Sequence, residues 1–396
     1  MNGMNLRNIF LRHVAQTSPE PMGLEITASD GLYLIAKDGK RYMDLISGIG
    51  VSVLGHQHPA VVEAVKKQAD QYMHTLVYGE FILSPQVLYA QKLTEQLDDK
   101  LNSVYFVNSG AEATEGAIKL AKRYTGRTEI VCCTQSYHGS TTGAMALNSD
   151  EYFTHAYRPL MPGVRYIRFD EVEDLELITS QTAAVIIEPV QAERGVYAPS
   201  ENYLKELRKR TEETGTLLIF DEIQTGFGRT GALFAHQKYE VVPDIMLIAK
   251  GMGGGMPIGA FVSDREIMQA FTNNPVLGHL TTFGGHPVNC AAALATLETL
   301  LKSGLIDEVA DKEKILNQQL QHYRIVEVRT AGLWAAIQVE SSDILHEVIA
   351  RCLDAGLILD WFLFDEKSIR MAPPLTITKE ELMEVCNTIV GILDKV

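Results

Sequence analysis

At 396 residues the chain is long enough for two or three domains of about 150 residues each and for a large apolar core. Its 46% apolar and 21% charged residues are those of an ordinary globular protein. A net charge of −15 argues against a nucleic-acid-binding surface, which needs clustered Lys and Arg, and no apolar run approaches the ~20 residues of a membrane-spanning helix.

The first nineteen residues carry Arg7 and Arg12 and no acidic residue, with Leu6, Phe10 and Val14 at helical spacing. Lacking a cleavage-like region, they read as an ordered amphipathic arm rather than a transit peptide, and no secretory signal is visible. From Leu24 to Leu54 short alternating runs flank an Asp38-Gly39 turn, which predicts a hairpin. His56 and His58 follow, but with no further ligands near them no metal site is expected. Helical patterns cover Pro59 to Tyr72 and Ser84 to Leu97.

From about Leu101 strand and helix signals alternate. Val104 to Val107, Ile130 to Cys133, Val164 to Ile167, Ala183 to Ile187, Leu217 to Phe220, Ile245 to Ala249 and Ala260 to Val262 are seven strand candidates, and this alternation predicts a largely parallel, doubly wound α/β sheet. A long helix is expected over Val288 to Leu301. Beyond it, short strands around Val326 to Val339 and an amphipathic helix over Lys379 to Leu393 predict a smaller α+β domain. The five cysteines, Cys132, Cys133, Cys290, Cys352 and Cys386, are odd in number and lie mostly in apolar segments, as reduced core residues of a cytoplasmic protein do.

Two of the strand candidates end in an ionisable residue, Asp221 in one and Lys250 in the other. Open α/β sheets bind ligands beyond the carboxyl ends of their strands, so a carboxylate and an amine delivered there are candidates for chemistry. A lysine after a buried strand, with few charges around it, loses solvation and becomes a nucleophilic amine. The same pair reads equally well as a structural salt bridge. Gly251, Gly253, Gly254 and Gly255 leave room for a flat ligand close to the backbone. They do not form a dinucleotide fingerprint, because the sixth position from Gly251 is Met256 and Pro257 follows.

Ser109, Gly110 and Ala111 open a helix after the Val107 strand, where free N–H groups and the helix dipole suit a phosphate. Ser109 with Glu112 also reads as a plain capping box. An amine that reacts with aldehydes, a carboxylate for a ring nitrogen and a phosphate-holding helix are the three anchors of pyridoxal 5'-phosphate. Tyr137 is placed to stack on such a ring.

The stretches SGIGVSVLGHQHP, NSGAEATEGA, SYHG, EPVQAERGV, DEIQTGFGRTG, AKGMGGGMPIGA, TTFGGHP and RMAPPL cover essentially the whole chain in order. Together they resemble the class III, ornithine/acetylornithine-type, aminotransferases, pyridoxal-phosphate enzymes of fold type I. The resemblance implies a large domain on a mostly parallel seven-stranded sheet plus a smaller α+β domain. The expected division is an arm and part of the small domain in residues 1–50, the cofactor-binding domain in 51–295 and the rest of the small domain in 296–396.

The resemblance further implies Lys250 as the lysine that binds the aldehyde and moves the proton, Asp221 as partner of the ring nitrogen, and Gln224 near the ring hydroxyl. It places Ser109, Gly110 and Ala111 at the phosphate, with Thr282 reaching the phosphate of a neighbouring subunit, hence a homodimer with shared sites. Arg370 matches the clamp for a substrate carboxylate and Glu193 the acid that pairs with it. Ser140 stands where these enzymes usually carry an arginine for a second carboxylate, and losing such a clamp removes about 1.5–3 kcal/mol of binding. Arg194 is a candidate substitute from another direction.

The implied reaction moves an amino group from an ω-amine or amino acid, such as acetylornithine, ornithine or 4-aminobutyrate, to a 2-oxo acid, 2-oxoglutarate by resemblance. Dialkylglycine decarboxylase and aminomutase or epimerase chemistry are the alternatives on the same fold. Ala111, where aminomutases generally carry threonine, disfavours the second. A cofactor-fold protein without activity is the reading from another class, and intact Lys250 and Asp221 argue against it.

Overall fold

Three β-sheets and the helices between them build the chain in the computed structural model, which describes residues 6–396. The N-terminal hairpin forms as expected. β1 (Ile26–Asp30), β2 (Tyr33–Ala36) and β3 (Arg41–Asp44) are antiparallel, with Gly39 at φ 86° in the turn between the last two. Residues 1–5 of the expected arm lie outside the described residues. The following residues form the helix Leu6–His13, whose Leu6 and Phe10 line an apolar cavity of about 570 Å³ with Met22, Leu24, Ile26 and Ile358.

The strand pattern read as far as Leu54 stops at Asp44. From Ser47 to Gly50 four successive residues have φ between 51° and 74°. The turn is held by side chains instead of a ladder: the Asp44 carboxylate accepts the Ile46 and Gly48 N–H groups at 3.1 and 2.9 Å, and Ser47 Oγ donates to the Ala372 carbonyl at 2.7 Å. Ile46, Ile49 and Val51 keep an apolar rhythm through it, which is why the sequence reads on as strand.

All seven central candidates are strands: β4 (Ser103–Val107), β5 (Glu129–Cys133), β6 (Val164–Ile167), β7 (Thr182–Ile187), β8 (Leu217–Asp221), β9 (Ile245–Ile248) and β10 (Gly259–Ser263). They form one sheet in the order β4-β10-β9-β8-β7-β5-β6, with β10 antiparallel to both neighbours and the other pairings parallel. Both faces are covered. Leu217 and Ile219 pack with Ala113, Ala117 and Ala121 of the helix Gly110–Thr125, whereas Leu218 and Phe220 pack with Tyr203 and Leu207 of the helix Tyr203–Thr214. Burial on both faces makes the strands continuous apolar runs, each large side chain contributing about 1.5–3 kcal/mol.

β11 (Ile325–Thr330), β12 (Ala335–Val339), β13 (Leu357–Ile358), β14 (Asp360–Phe362) and β15 (Asp365–Met371) complete the chain. β11, β12, β15 and β14 form an antiparallel sheet in that order, while β13 pairs in parallel with β3 and ties the C-terminal segment to the N-terminal hairpin. The final helix, Lys379–Leu393, starts with a full capping box. Thr378 Oγ1 accepts the Glu381 N–H at 3.1 Å and the Glu381 carboxylate accepts the Thr378 N–H at 2.9 Å.

Candidate active site

Five parallel strands deliver polar residues from their carboxyl ends into one cavity of about 520 Å³. β4 leads to Asn108, Ser109, Gly110 and Ala111, β5 to Tyr137 and His138, β7 to Glu188, β8 to Asp221, and β9 to Ala249 and Lys250. The ends of β8 and β9 carry the carboxylate and amine that the sequence offers as a pair. The sheet brings together the phosphate-type helix start and Tyr137 as well.

At the helix start only half of the expected capping box forms. Ser109 Oγ accepts the Glu112 N–H at 3.2 Å, but the Glu112 carboxylate turns to Asn108, accepting its backbone N–H at 2.7 Å and its side-chain amide at 2.8 Å. Gly110 and Ala111, in the first turn, have N–H groups with no partner inside the helix, and both line the cavity. A Cβ at Gly110 would stand 2.7 Å from Ile223 Cδ1, so any larger residue there would have to displace that side chain. These donors at the positive end of a sixteen-residue helix suit an anion.

Asp221 is buried and doubly engaged. Oδ1 accepts the Ile223 N–H at 3.0 Å and Oδ2 lies 2.7 Å from His138 Nδ1. Burial by itself would depress the His138 pKa, but the hydrogen bond and charge of Asp221, with the charge of Glu188, overturn this and raise it. Glu188 is buried beside them and accepts the N–H groups of Tyr137 at 3.1 Å and Ala192 at 2.9 Å. Burial, opposed by His138 and reinforced by Asp221, pushes its carboxyl up to about 7. His138 and Glu188 carried no role in the sequence reading. They stand in SYHG and EPVQAERGV, but nothing local in those stretches announces a partner such as Asp221, 83 positions from His138.

Lys250 begins a 3₁₀ turn with φ 46°, a conformation that costs a residue with a side chain. The expectation of few charges around it is corrected: Glu193, Arg370, Asp221 and Glu188 all act on the amine. Burial prevails over the three carboxylates and, with Arg370, lowers its pKa to about 8. In the cofactor-free protein, labelling of Lys250 by an amine-reactive reagent, followed by peptide mapping, is therefore expected to be half-maximal near pH 8. A midpoint at the ordinary lysine value of about 10.4 would exclude the burial argument.

The glycine run beyond the lysine is mainly a packing device, not a bed for a flat ligand. A Cβ on Gly251 would lie 2.8 Å from Val53 Cγ1, and one on Gly254, at φ 56°, would lie 2.2 Å from Thr296 Oγ1 in the helix Pro287–Ser303. Of the four glycines only Gly255 lines the cavity. Gly254→Ala is expected to destabilise the protein by about 1–3 kcal/mol in denaturant unfolding, since the backbone strain and the clash act together. An unchanged midpoint would show that the helix yields freely.

Tyr137 and Ser140 line the cavity with their hydroxyl oxygens 2.9 Å apart. Gln224 lines it too and donates to Glu193 Oε1 at 3.2 Å, linking the cavity to the Arg370 cluster. Arg370, on β15, is buried with Nη2 2.6 Å from Glu193 Oε2 and 3.0 Å from the Trp361 carbonyl. Burial of Glu193 opposes its ionisation, but Arg370 and then Lys250 outweigh it and the pKa falls. Arg194 does not replace the missing arginine in the cavity: its guanidinium lies 4.3 Å from the centre of the Tyr197 ring and donates to Gln191. Thr282 is exposed and is not among the residues lining this cavity.

A buried amine on a strained turn, a carboxylate braced by a histidine and a helix start with free donors, all around one cavity at the rim of a doubly wound sheet, define a pyridoxal-phosphate-dependent transferase of fold type I. The chain belongs to the class-III aminotransferases, whose family model, Aminotransferase class-III, matches residues 14–393. It is 38% identical to the acetylornithine aminotransferase of Methanocaldococcus jannaschii, over 91% of this chain and 90% of that one. It is 37% identical to the putrescine aminotransferase of Pectobacterium atrosepticum, over 94% and 82%. Among solved structures, the ornithine aminotransferase of Toxoplasma gondii superposes with a TM-score of 0.90 at 29% identity, covering 99% of this chain and 94% of that chain.

Proposed function

We propose that the protein transfers an amino group from an ω-amine or amino acid to 2-oxoglutarate, and that it acts as a cytoplasmic homodimer. The carrying observation is the placement of Lys250, with its amine lowered to about 8, in the same cavity as the Asp221–His138 pair and the free N–H groups of Gly110 and Ala111. These residues fit pyridoxal phosphate at each of its three anchors. When bound, the cofactor supplies an aldehyde that condenses with amines and a ring that takes up the electron pair of the adjacent broken C–H bond.

In this reading Lys250 Nζ would hold the aldehyde, be released by the incoming amine, and then take a proton from the donor carbon and return it to the former aldehyde carbon on the other side of the shared nitrogen. An amine with a pKa near 8 does both, since its neutral form is populated near neutrality. Asp221 would keep the ring nitrogen protonated, with His138 fixing the carboxylate in place. Ser109, Gly110 and Ala111 would hold the phosphate, with Thr282 of the second subunit added. Tyr137 would pack on the ring, and Gln224 would serve the ring hydroxyl. Arg370 binds the carboxylate of the 2-oxo acid, and Glu193 occupies Arg370 when an ω-ammonium enters.

Ser140 supplies a hydroxyl where a second arginine would stand, which favours donors without a second carboxylate at that end. The five cysteines are buried and unpaired, as suits a reducing compartment. Pairing of β3 with β13 supports treating residues 1–50 and 296–396 as one small domain against a large domain of 51–295. An absorbance titration tests the reading. The cofactor band should shift to its amine form with one member of a panel of acetylornithine, ornithine, 4-aminobutyrate, lysine and alanine, and return on addition of 2-oxoglutarate. A band that shifts with none of them would defeat the proposed donor class.

A further inference from the structure

Arg370 has a second carboxylate beside it that the proposed mechanism does not use. Asp360 on β14 stands directly opposite Arg370 on β15 in the antiparallel pairing, and its Oδ1 lies 3.3 Å from Arg370 Nε. On the other side of the guanidinium, Glu193 Oε2 is 2.6 Å from Nη2, and Phe362 covers one face with its ring centre 4.6 Å away. One buried cation is thus held between two acids.

The two contacts differ in kind. Glu193 makes a charge-assisted hydrogen bond and is fixed by Gln224 and the Leu363 N–H. The Asp360 contact is close but poorly aimed: Arg370 Nε and Asp360 Oδ1 are both buried and neither has a hydrogen-bond partner among the described residues. A guanidinium edge with an unfilled donor is what an incoming carboxylate needs, and an acid already parked there opposes it by charge.

We propose that Asp360 is a specificity-determining residue, which competes with the substrate carboxylate for Arg370 and so weakens the binding of dicarboxylates relative to amines that lack a carboxylate. This deepens the proposed function and rests on Arg370 being its carboxylate clamp. Removing the aspartate charge leaves Arg370 with Glu193 alone and an open Nε, so dicarboxylate binding tightens.

The competition depends on pH. Burial raises the Asp360 carboxyl to about 6, Arg370 opposing and Glu193 and Asp44 reinforcing the shift, with Lys250 opposing it weakly. Asp360 is therefore charged above about 6 and neutral below it, so its competition grows as pH rises through that value. The charged groups facing it are Arg370 from β15, Glu193 from the loop after β7, Asp44 from the end of β3 and Lys250 from the turn after β9. His56 lies behind Asp44, with Nε2 2.9 Å from its Oδ2.

The test is calorimetric binding of glutarate, which cannot accept an amino group, to the cofactor-loaded protein and its Asp360→Asn variant between pH 5 and 8. At pH 8 the variant should bind about tenfold more tightly than the native protein, and the difference should vanish toward pH 5. Glutarate titrates identically in both experiments, so the difference between the two profiles reads the charge at position 360. Equal affinities at pH 8, or a difference independent of pH, would overturn the proposal. Asp360→Ser serves the same purpose if the asparagine variant does not fold. Arg370→Gln separates the two levels: glutarate binding that survives it removes the clamp reading itself, whereas binding lost there but unmoved in Asp360→Asn removes only the role of Asp360.

Discussion

Lys250→Ala is expected to slow amino transfer on the order of 10⁴-fold while leaving the protein folded. Two functions fall together, because the same Nζ holds the aldehyde and moves the proton. The neighbouring cation does not replace it: Arg370 is engaged by Glu193 at 2.6 Å, and a guanidinium does not release a proton near neutrality. Stability should respond differently. Burial disfavours the ammonium at this position, and Glu193 keeps Arg370 as its partner when the lysine is gone. The thermal midpoint of the variant should therefore stay close to that of the native protein. Rescue separates chemistry from folding, since a small amine such as methylamine should restore part of the rate by entering the vacated space. Native-like turnover in the variant would remove Lys250 from the mechanism, whereas a collapsed midpoint with no rescue would make its role structural.

The difference between what the sequence announces and what it conceals follows from the range of the interactions. β7, β8 and β9 are legible because burial on both faces forces unbroken apolar runs, and an ionisable residue closing such a run, Asp221 or the near-terminal Lys250, stands out against it. The capping box at Thr378 forms in full because its partners are three residues apart. At Ser109 the same local rule is only half obeyed, since Glu112 has a better use at Asn108. His138 with Asp221 and Glu188 with Tyr137, 83 and 51 positions apart, are set by strand order and register, which no window along the chain contains. The glycines after Lys250 show the converse. Their presence is obvious, but their reason, the close approach of Val53 and Thr296, belongs to segments far away.

Asp221→Asn is expected to lower kcat/KM by about 10²–10³-fold, the cost of losing a preorganised charge at a reacting centre. Asparagine has nearly the shape of aspartate, so the loss reports charge and hydrogen-bond polarity. It can accept from Ile223 or from His138, but its amide nitrogen then faces the other partner as a donor. The consequence for His138 gives an independent readout. In the native protein Asp221 holds the His138 pKa above its ordinary value against burial, so the protonated ring contributes stability that is fully present below about 6.5 and is lost as pH rises through the raised value. In the variant burial is left with little opposition, and protonation of His138 becomes a cost as pH falls. The stability gap between the two proteins, measured by denaturant unfolding, should therefore be wider at pH 6 than at pH 9. A rate loss without that gap would assign Asp221 to the cofactor ring alone, with His138 a bystander. The gap without the rate loss would make the pair a structural brace, and the proton on the ring nitrogen would then need another keeper.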